Sequence, residues 1–257
     1  MKKFCIVLSF AVVMMAPNLF AAMSVILMYN TGSYSSSFSG GVVGGEFRGV
    51  GGGTTTNLDS IINWSAYASS TKGTVSSADS TSHGYSTSLN GQKYFQTFCI
   101  ESTVYYKPGT SYSVAISQQS GQGTAITIGT AWLYSRFVAG TLSGYNYTYG
   151  SGRTASATLL QEAIWWLQGQ TWGVKDSFIT TAENALYGKN GSTQDALIKG
   201  KANGAYGVYA LNLGNPDCVQ DQLVVVVPEY STIIAGALLL PFGASMLRIL
   251  RRKKPMA

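Results

Sequence analysis

The feature that most constrains this chain is an uncharged apolar segment near its C-terminus. No residue from Ser231 to Leu247 carries a charge, and Ile, Leu, Ala and Gly dominate the segment. Because a bilayer-crossing helix needs roughly 20 apolar residues, we predict a transmembrane helix over residues 231–250. A basic cluster accompanies its end: Arg248, Arg251, Arg252, Lys253 and Lys254. Positive charge beside a span resists translocation, so we expect this cluster in the cytoplasm and the body outside.

The N-terminus independently indicates export. Two lysines precede an uncharged apolar run from Phe4 to Met15, and small residues follow. This is the order of a secretory signal peptide, so we predict that residues 1–24 form a signal that is cleaved between Ala21 and Ser24. An uncleaved membrane anchor is the alternative, but the apolar run is short for that purpose.

A short motif stands in front of the C-terminal apolar segment. Val227-Pro228-Glu229 comes first, Ser231-Thr232 follows, and the apolar segment and basic cluster complete the order. Residues 228–254 therefore resemble the PEP-CTERM sorting signal, with Tyr230 in place of the second proline. The resemblance implies recognition by an exosortase, a membrane transpeptidase that cuts near Pro228 and Glu229. An ordinary single-span anchor is the simpler alternative.

The PEP-CTERM resemblance also implies where the protein goes. It is typical of Gram-negative-type bacteria, in which the chain would be an inner-membrane-anchored intermediate before it reaches the cell surface or an extracellular, polysaccharide-rich matrix. The membrane would then be a partner only during sorting.

The net charge of +6 lies at the two ends of the chain. Residues 25–227 hold ten basic and ten acidic side chains and are therefore neutral. Because nucleic-acid binding requires clustered basic charge, we predict no nucleic-acid partner. The body is long enough for one or two domains with a hydrophobic core. We divide it into a Ser/Thr/Gly-rich region, 25–90, which is either a flexible lead-in or short strands, and a domain at 91–227.

The first half of that domain predicts antiparallel strands. Residues 93–106 are dense in Phe, Tyr, Val and Thr, which favours a strand. Lys107-Pro108-Gly109-Thr110 is typical of a tight turn, and residues 111–117 alternate between polar and apolar side chains. We predict a hairpin whose first arm carries Cys99 on one face, with its neighbours Phe98 and Ile100 on the other.

The second half predicts helices and two final strands, so the expected fold class is α+β, an antiparallel β framework with a few packed helices. Leu160, Ile164 and Leu167 form an apolar stripe at helical spacing, and Gln161 lies beside it. The predicted helices cover residues 130–138, 155–168, 176–187 and 193–201, and the predicted strands cover 206–213 and 222–227.

Two short segments of this body resemble the motifs of bacterial thioester domains. The first is Thr97-Phe98-Cys99-Ile100-Glu101, and the second is Leu160-Gln161-Glu162-Ala163-Ile164-Trp165. The family usually has Thr-Gln-x-Ala-Ile-Trp, so Leu160 stands where threonine is expected. The resemblance covers residues 95–226. It implies that the Cys99 thiol is joined to the Gln161 side chain with loss of ammonia.

The chemistry of such a bond sets clear requirements. A thiolate is a strong nucleophile and a carboxamide is a poor electrophile, so the fold must hold the two groups in contact. The product must also be kept from water, and we predict that Phe98, Trp165 and Trp166 shield it. It would then be a stored electrophile that attaches once, without enzymatic turnover, cofactor or metal. Its target would be an amine or hydroxyl on an exopolysaccharide or a surface protein.

Three alternatives stay open at this stage. Cys99 pairs with Cys218 in a disulfide, which an oxidising compartment favours and which excludes the thioester. The protein is a non-reactive structural matrix protein whose Tyr and Trp side chains contact exopolysaccharide. Less favoured is a secreted glycan hydrolase that uses Glu101 or Glu162. His83 is the only histidine, which argues against a Ser-His-Asp triad.

Overall fold

The computed structural model describes residues 23–29, 35–37, 43–51, 58–77, 89–214 and 219–228. The predicted signal sequence, Glu229, the predicted transmembrane helix and the basic cluster lie outside these residues. Within the described ranges, every helix is too short or too polar to cross a membrane.

Nine strands lie in the described residues, and seven of them form one antiparallel sheet in the order β5-β6-β4-β1-β7-β8-β9. The other two, β2 and β3, form a separate two-stranded ribbon. The strands are β1 Ser24–Tyr29, β2 Ser35–Ser37, β3 Val43–Gly45, β4 Phe47–Gly51, β5 Lys72–Thr74, β6 Lys93–Thr97, β7 Ser111–Ser117, β8 Val208–Leu213 and β9 Gln222–Val225.

The sheet curls until its two ends meet. Beyond the end of β6, the Phe98 carbonyl accepts a hydrogen bond from the Leu223 N–H at 3.1 Å, and the Ile100 N–H donates to the Asp221 carbonyl at 2.9 Å. The continuation of β6 therefore pairs with β9. Six strands, from β6 round to β9, form a closed ring, and β5 lies outside it on the free side of β6.

The predicted hairpin between residues 93–106 and 111–117 is wrong. Strands β6 and β7 exist, but β4 and β1 lie between them in the sheet. The apolar strand β1 pairs with β7 on one side and with β4 on the other. The turn-like segment and the alternating strand favour a local pair, whereas β6 pairs with β4 and β5, and β7 pairs with β1 and β8. The region assigned to 25–90 thus supplies strands to the same sheet as the region 91–227.

Five α-helices in the described residues complete an α+β fold, as predicted. They are α1 Leu58–Ile61, α2 Ile128–Val138, α3 Ser151–Leu167, α4 Ser177–Tyr187 and α5 Ser192–Ile198. Thr127 caps α2 by accepting the Thr130 N–H, and Asp176 caps α4 by accepting the N–H groups of Phe178 and Ile179.

The main hydrophobic core lies between the sheet and helices α2 to α4. The predicted stripe of α3, Leu160, Ile164 and Leu167, is buried there. Phe98 reaches the same core and meets Phe137 edge to face, with ring centres 4.9 Å apart. Ile100 is buried with them, whereas Cys99 belongs to a separate small cluster, which confirms the predicted alternation of faces along this segment.

Candidate functional site

The candidate site begins as a gap in the sheet beside Cys99. Strands β4 and β6 pair in a register that sets Phe47 opposite Thr97. If that register continued, Gly45 would lie opposite Cys99. Instead the chain leaves the sheet at this point, because Gly45 has a φ of 131° and belongs to the β2–β3 ribbon. A φ in this range favours glycine, since a side chain would strain the backbone.

The side chain of Gln161 fills this gap. Its Oε1 accepts hydrogen bonds from the Cys99 N–H at 3.0 Å and from the Gly45 N–H at 3.3 Å. Its Nε2 donates to the Cys99 carbonyl at 2.8 Å. Both Gln161 and Cys99 are fully buried. The structure therefore brings the two sequence-predicted residues together, with the carboxamide held against the main chain of the cysteine.

The Cys99 thiol lies against Gln222 of β9. Cys99 and Gln222 face each other across the closure of the ring, in a bridge flanked by the hydrogen bonds of Phe98 and Ile100. Side chains in such a non-hydrogen-bonded pair lie close together. Gln222 Nε2 is 3.4 Å from Cys99 Sγ. Burial raises the pKa of the thiol well above its ordinary value, and the hydrogen bond from Gln222 opposes that rise.

The three predicted shielding residues occupy different surroundings. Trp165 is fully buried and packs with Cys99 and Phe47 in one small cluster, which we name the cysteine cluster. Phe98 is equally buried, but it belongs to the main core on the opposite face of the strand. Trp166 is half-buried and packs against the main core, with the Lys199 ammonium 3.5 Å from its ring centre. Only Trp165 lies in the same cluster as the thiol.

Three half-buried aromatic residues that the sequence did not single out cover the cysteine cluster. They are Tyr29, Tyr106 and Trp172. Phe47 meets Tyr106 edge to face, with ring centres 5.2 Å apart. These rings are partly exposed and pack against the cluster that contains the thiol, so they separate part of it from solvent. The sequence contains many tyrosines and several tryptophans, so nothing in it distinguishes these three residues as neighbours of the thiol.

A buried ion pair fixes helix α3 beside the gap. Arg153, in the first turns of α3, donates from Nε to Glu46 Oε2 at 2.9 Å and also contacts the other carboxylate oxygen. Tyr145 Oη donates to the same Oε2 at 2.7 Å. Burial raises the pKa of Glu46, and the guanidinium of Arg153 opposes the rise. Because Glu46 is the neighbour of Gly45, this pair locks the helix that carries Gln161 to the chain segment that Gln161 contacts.

The two candidate acids of the hydrolase alternative lie in unlike surroundings. Glu101 is 1% exposed and accepts the Asp221 N–H at 2.9 Å. Burial and the neighbouring Asp221 carboxylate raise the pKa of Glu101 to about 7. Glu162 is half-buried on α3, and burial raises its pKa. Glu101 is therefore closed off from solvent, whereas Glu162 is partly exposed.

The remaining predictions meet the structure only in part. Cys99 forms no disulfide within the described residues, and Cys218 lies outside them, as does His83. Pro228 is exposed at the end of the described chain. In the described ranges no group of three His, Cys, Asp or Glu side chains is arranged to hold a metal ion. No protein-family model, curated protein or solved structure matches this chain.

Proposed function

We propose that this is an exported surface or matrix protein that attaches covalently to its target through a thioester between Cys99 and Gln161. One observation carries the proposal. A buried glutamine carboxamide is held directly against a buried cysteine, with its carbonyl oxygen bonded to two main-chain N–H groups. Burial excludes water, and the hydrogen bonds to the Cys99 main chain hold the carboxamide near the cysteine; both favour thioester formation.

The bond forms by acyl transfer from nitrogen to sulfur. Cys99 Sγ attacks the Gln161 Cδ, the S–C bond forms, and the C–N bond to Nε2 breaks. The thiol proton goes to the departing nitrogen, which leaves as ammonia. No oxidant or cofactor takes part. Gln222 Nε2, 3.4 Å from the sulfur, stabilises the thiolate that must form, since an N–H donor favours the charged state.

The two N–H groups on Gln161 Oε1 suit this reaction. When the sulfur adds to Cδ, negative charge develops on that oxygen. The Cys99 and Gly45 N–H groups already point at it, so they are placed as an oxyanion hole would be. Removal of one such donor in enzymes costs roughly a hundredfold or more in rate. The conformation of Gly45, which favours glycine, directs its N–H to this oxygen.

The stored thioester would react once with an amine on the target. The amine nitrogen forms a bond to Gln161 Cδ, the S–C bond breaks, and the proton returns to Cys99 as a free thiol. The target is then held through an amide at the position of Nε2. Trp165 and the half-buried rings of Tyr29, Tyr106 and Trp172 cover this centre, which protects it from water.

The exported location rests on the two ends of the sequence. The signal-like N-terminus and the Pro228-Glu229 segment with its apolar and basic continuation support sorting by an exosortase to the surface or matrix. An exopolysaccharide or a surface protein on which amines are exposed would then be within reach.

Intact mass tests the thioester directly. The wild-type protein should be lighter than its sequence mass by one ammonia and should gain one methylamine when it is incubated with that amine. Cys99→Ala and Gln161→Ala should show neither change. Gln170→Ala is the matched control, because Gln170 accepts the Ser102 N–H at 3.1 Å and, within the described residues, forms no hydrogen bond with Cys99. A full sequence mass and no methylamine uptake would refute the proposal, and a loss of two hydrogens would show the Cys99–Cys218 disulfide instead.

A non-reactive matrix protein is the second candidate, and one observation favours it. Gln161 satisfies three main-chain groups that the gap would otherwise leave buried without a partner. This would suffice to explain a buried glutamine without any reaction. The same mass measurement separates the two functions.

A further inference from the structure

A second feature lies at the opposite end of β6 from Cys99. A cavity of about 250 Å³ opens at the β5–β6 edge of the sheet, lined by Trp64, Lys72, Gly73, Thr74 and Lys93. We name it the edge cavity. Lys93 begins β6, whereas Cys99 follows the end of that strand. The edge cavity is therefore separate from the cysteine cluster.

The sheet register explains why these side chains converge. Lys72 lies opposite Phe95, and Thr74 lies opposite Lys93, so all four project from the same face. Trp64 packs nearly perpendicular to Phe95, with ring centres 6.4 Å apart. Phe95 is fully buried. Trp64 is therefore held in place by the buried ring of Phe95, and it also borders the edge cavity.

The two lysines give the edge cavity a positive charge. Lys72 Nζ donates to the Trp64 carbonyl at 2.6 Å, which fixes the ammonium at the cavity wall and leaves two of its N–H groups. The Lys93 ammonium is 5.5 Å from the Trp64 ring centre. Within the described residues, neither lysine forms an ion pair with a carboxylate. The body as a whole is neutral, so this is a local concentration of charge.

Trp166 also has two lysines nearby, but its surroundings differ from those of Trp64. At Trp166 the Lys199 ammonium sits 3.5 Å from the ring centre and covers the ring. Lys175, the other lysine beside it, is paired with Asp195 and Glu183. Trp166 is therefore covered and its surroundings neutralised. The Lys93 ammonium lies farther from the Trp64 ring, 5.5 Å from its centre, and Trp64 borders the edge cavity.

We propose that the edge cavity binds a uronic acid residue of an acidic polysaccharide. The apolar face of the sugar ring would lie on Trp64, and the sugar carboxylate would accept hydrogen bonds from Lys72 and Lys93. A cavity with one aromatic wall and a few convergent polar groups is the usual form of a small-ligand site. The site depends on neither Cys99 nor Gln161, so it gives the protein a reversible hold on a matrix polymer independent of the thioester.

Calorimetric titration of the full-length protein with a polyuronate oligosaccharide tests the site, with dextran of equal length as the neutral comparison. Polyuronate should bind and dextran should not, and binding should weaken as salt is raised, because screened charges attract less. Lys93→Gln should weaken binding by about fivefold, in line with the loss of one charged contact. Lys199→Gln is the matched control and should bind as the wild type does.

Other results would overturn the proposal. Equal binding of dextran and polyuronate would show that the lysines do not recognise the ligand. Binding that survives both Lys72→Gln and Lys93→Gln would place the ligand elsewhere. These variants alter exposed or half-exposed lysines, so loss of folding does not confuse the result. Cys99→Ala should still bind polyuronate, which separates failure of this site from failure of the thioester.

Discussion

The side chain of Gln222 donates a hydrogen bond to the thiol on which the proposed chemistry depends. It is a buried amide in the strand sequence Gln-Leu-Val-Val, where every other side chain is apolar. Burying an amide in an apolar strand costs free energy unless its hydrogen bonds are made. A glutamine in an otherwise apolar strand therefore indicates from sequence that Gln222 needs a buried hydrogen-bond partner. The sequence alone does not show that this partner is Cys99.

Replacing Gln222 by leucine is the first residue-scale prediction. Gln222→Leu removes the donor to Cys99 Sγ and leaves a side chain of similar size, so the fold should persist, with a melting temperature close to that of the wild type. The thiolate loses its stabilising hydrogen bond, so the fraction of chains that have lost ammonia should fall about tenfold or more at a fixed time. Intact mass at successive times after refolding measures this fraction. An unchanged rate would show that Gln222 has no part in the reaction.

Glu101 predicts a dependence of stability on pH. Its pKa is raised to about 7 by burial and by the Asp221 carboxylate, from an ordinary value of 4.5. Below pH 4.5 the group is protonated in both the folded and unfolded states and costs nothing. As the pH rises through 7, the folded state must hold a buried charge, so the stability contributed at low pH is lost. The loss is at most about 3 kcal/mol.

Glu101→Gln removes this titration. Relative to the variant, the wild type should therefore lose stability between pH 5 and pH 8, which urea denaturation at the two pH values measures. Gln118→Ala, at an exposed side chain that carries no charge, is the control and should leave the pH dependence of the wild type unchanged. A wild type and a Glu101→Gln variant that differ equally at both pH values would contradict the assignment.

At the scale of elements, helix α3 and the β3–β4 junction are joined by the Glu46–Arg153 pair. Removing one partner of a buried ion pair leaves the other charge uncompensated, at a cost of about 3–5 kcal/mol. Arg153→Met should therefore lower the free energy of unfolding by about that amount. The double variant Glu46→Gln with Arg153→Met should recover part of the loss, because no buried charge then stays unpaired.

Urea denaturation of the two single variants and the double variant forms a cycle that measures this coupling. Intact mass of the double variant adds a second readout. If the pair positions Gln161, the double variant should be folded and yet form less thioester than the wild type. Full thioester formation in that variant would show that the ion pair contributes to stability alone.

The elements also show what the sequence could and could not predict. Helices α2 to α5 lie close to their predicted ranges, because patterns such as the apolar stripe of α3 are local. The pairing of β6 with β7 was wrong, because strand pairing is decided by partners distant in sequence. Cys99 and Gln161 were found through motifs, whereas Arg153 and Gly45 carried no local signal of their role. The roles of Arg153 and Gly45 depend on the contact between α3 and the β2–β3 ribbon, which sequence patterns do not reveal.

At the scale of the whole molecule, the closure of the ring is what brings the site together. Cys99 lies at the seam where the continuation of β6 meets β9, and the residue across the seam is 123 positions later in the sequence. Thr97 bridges the same seam. Its Oγ1 donates to the Leu223 carbonyl at 2.7 Å and accepts the Leu223 N–H at 3.1 Å. A substitution at Thr97 should therefore weaken the pairing at the seam without altering the Cys99 side chain.

Thr97→Val keeps the shape of the side chain and removes both of these hydrogen bonds. The Leu223 N–H is then left buried with a weakened set of partners, so the variant should lose about 1–3 kcal/mol of unfolding free energy. Hydrogen exchange should rise at the Leu223 and Ile100 amides, which form the seam, and stay unchanged at the amides of β1 in the middle of the sheet. If the ring opens at the seam before it unfolds, methylamine should also enter faster than in the wild type. A uniform rise in exchange across β1 and the seam would instead mean that the ring unfolds as one unit, and the seam would then have no separate role in admitting the target amine.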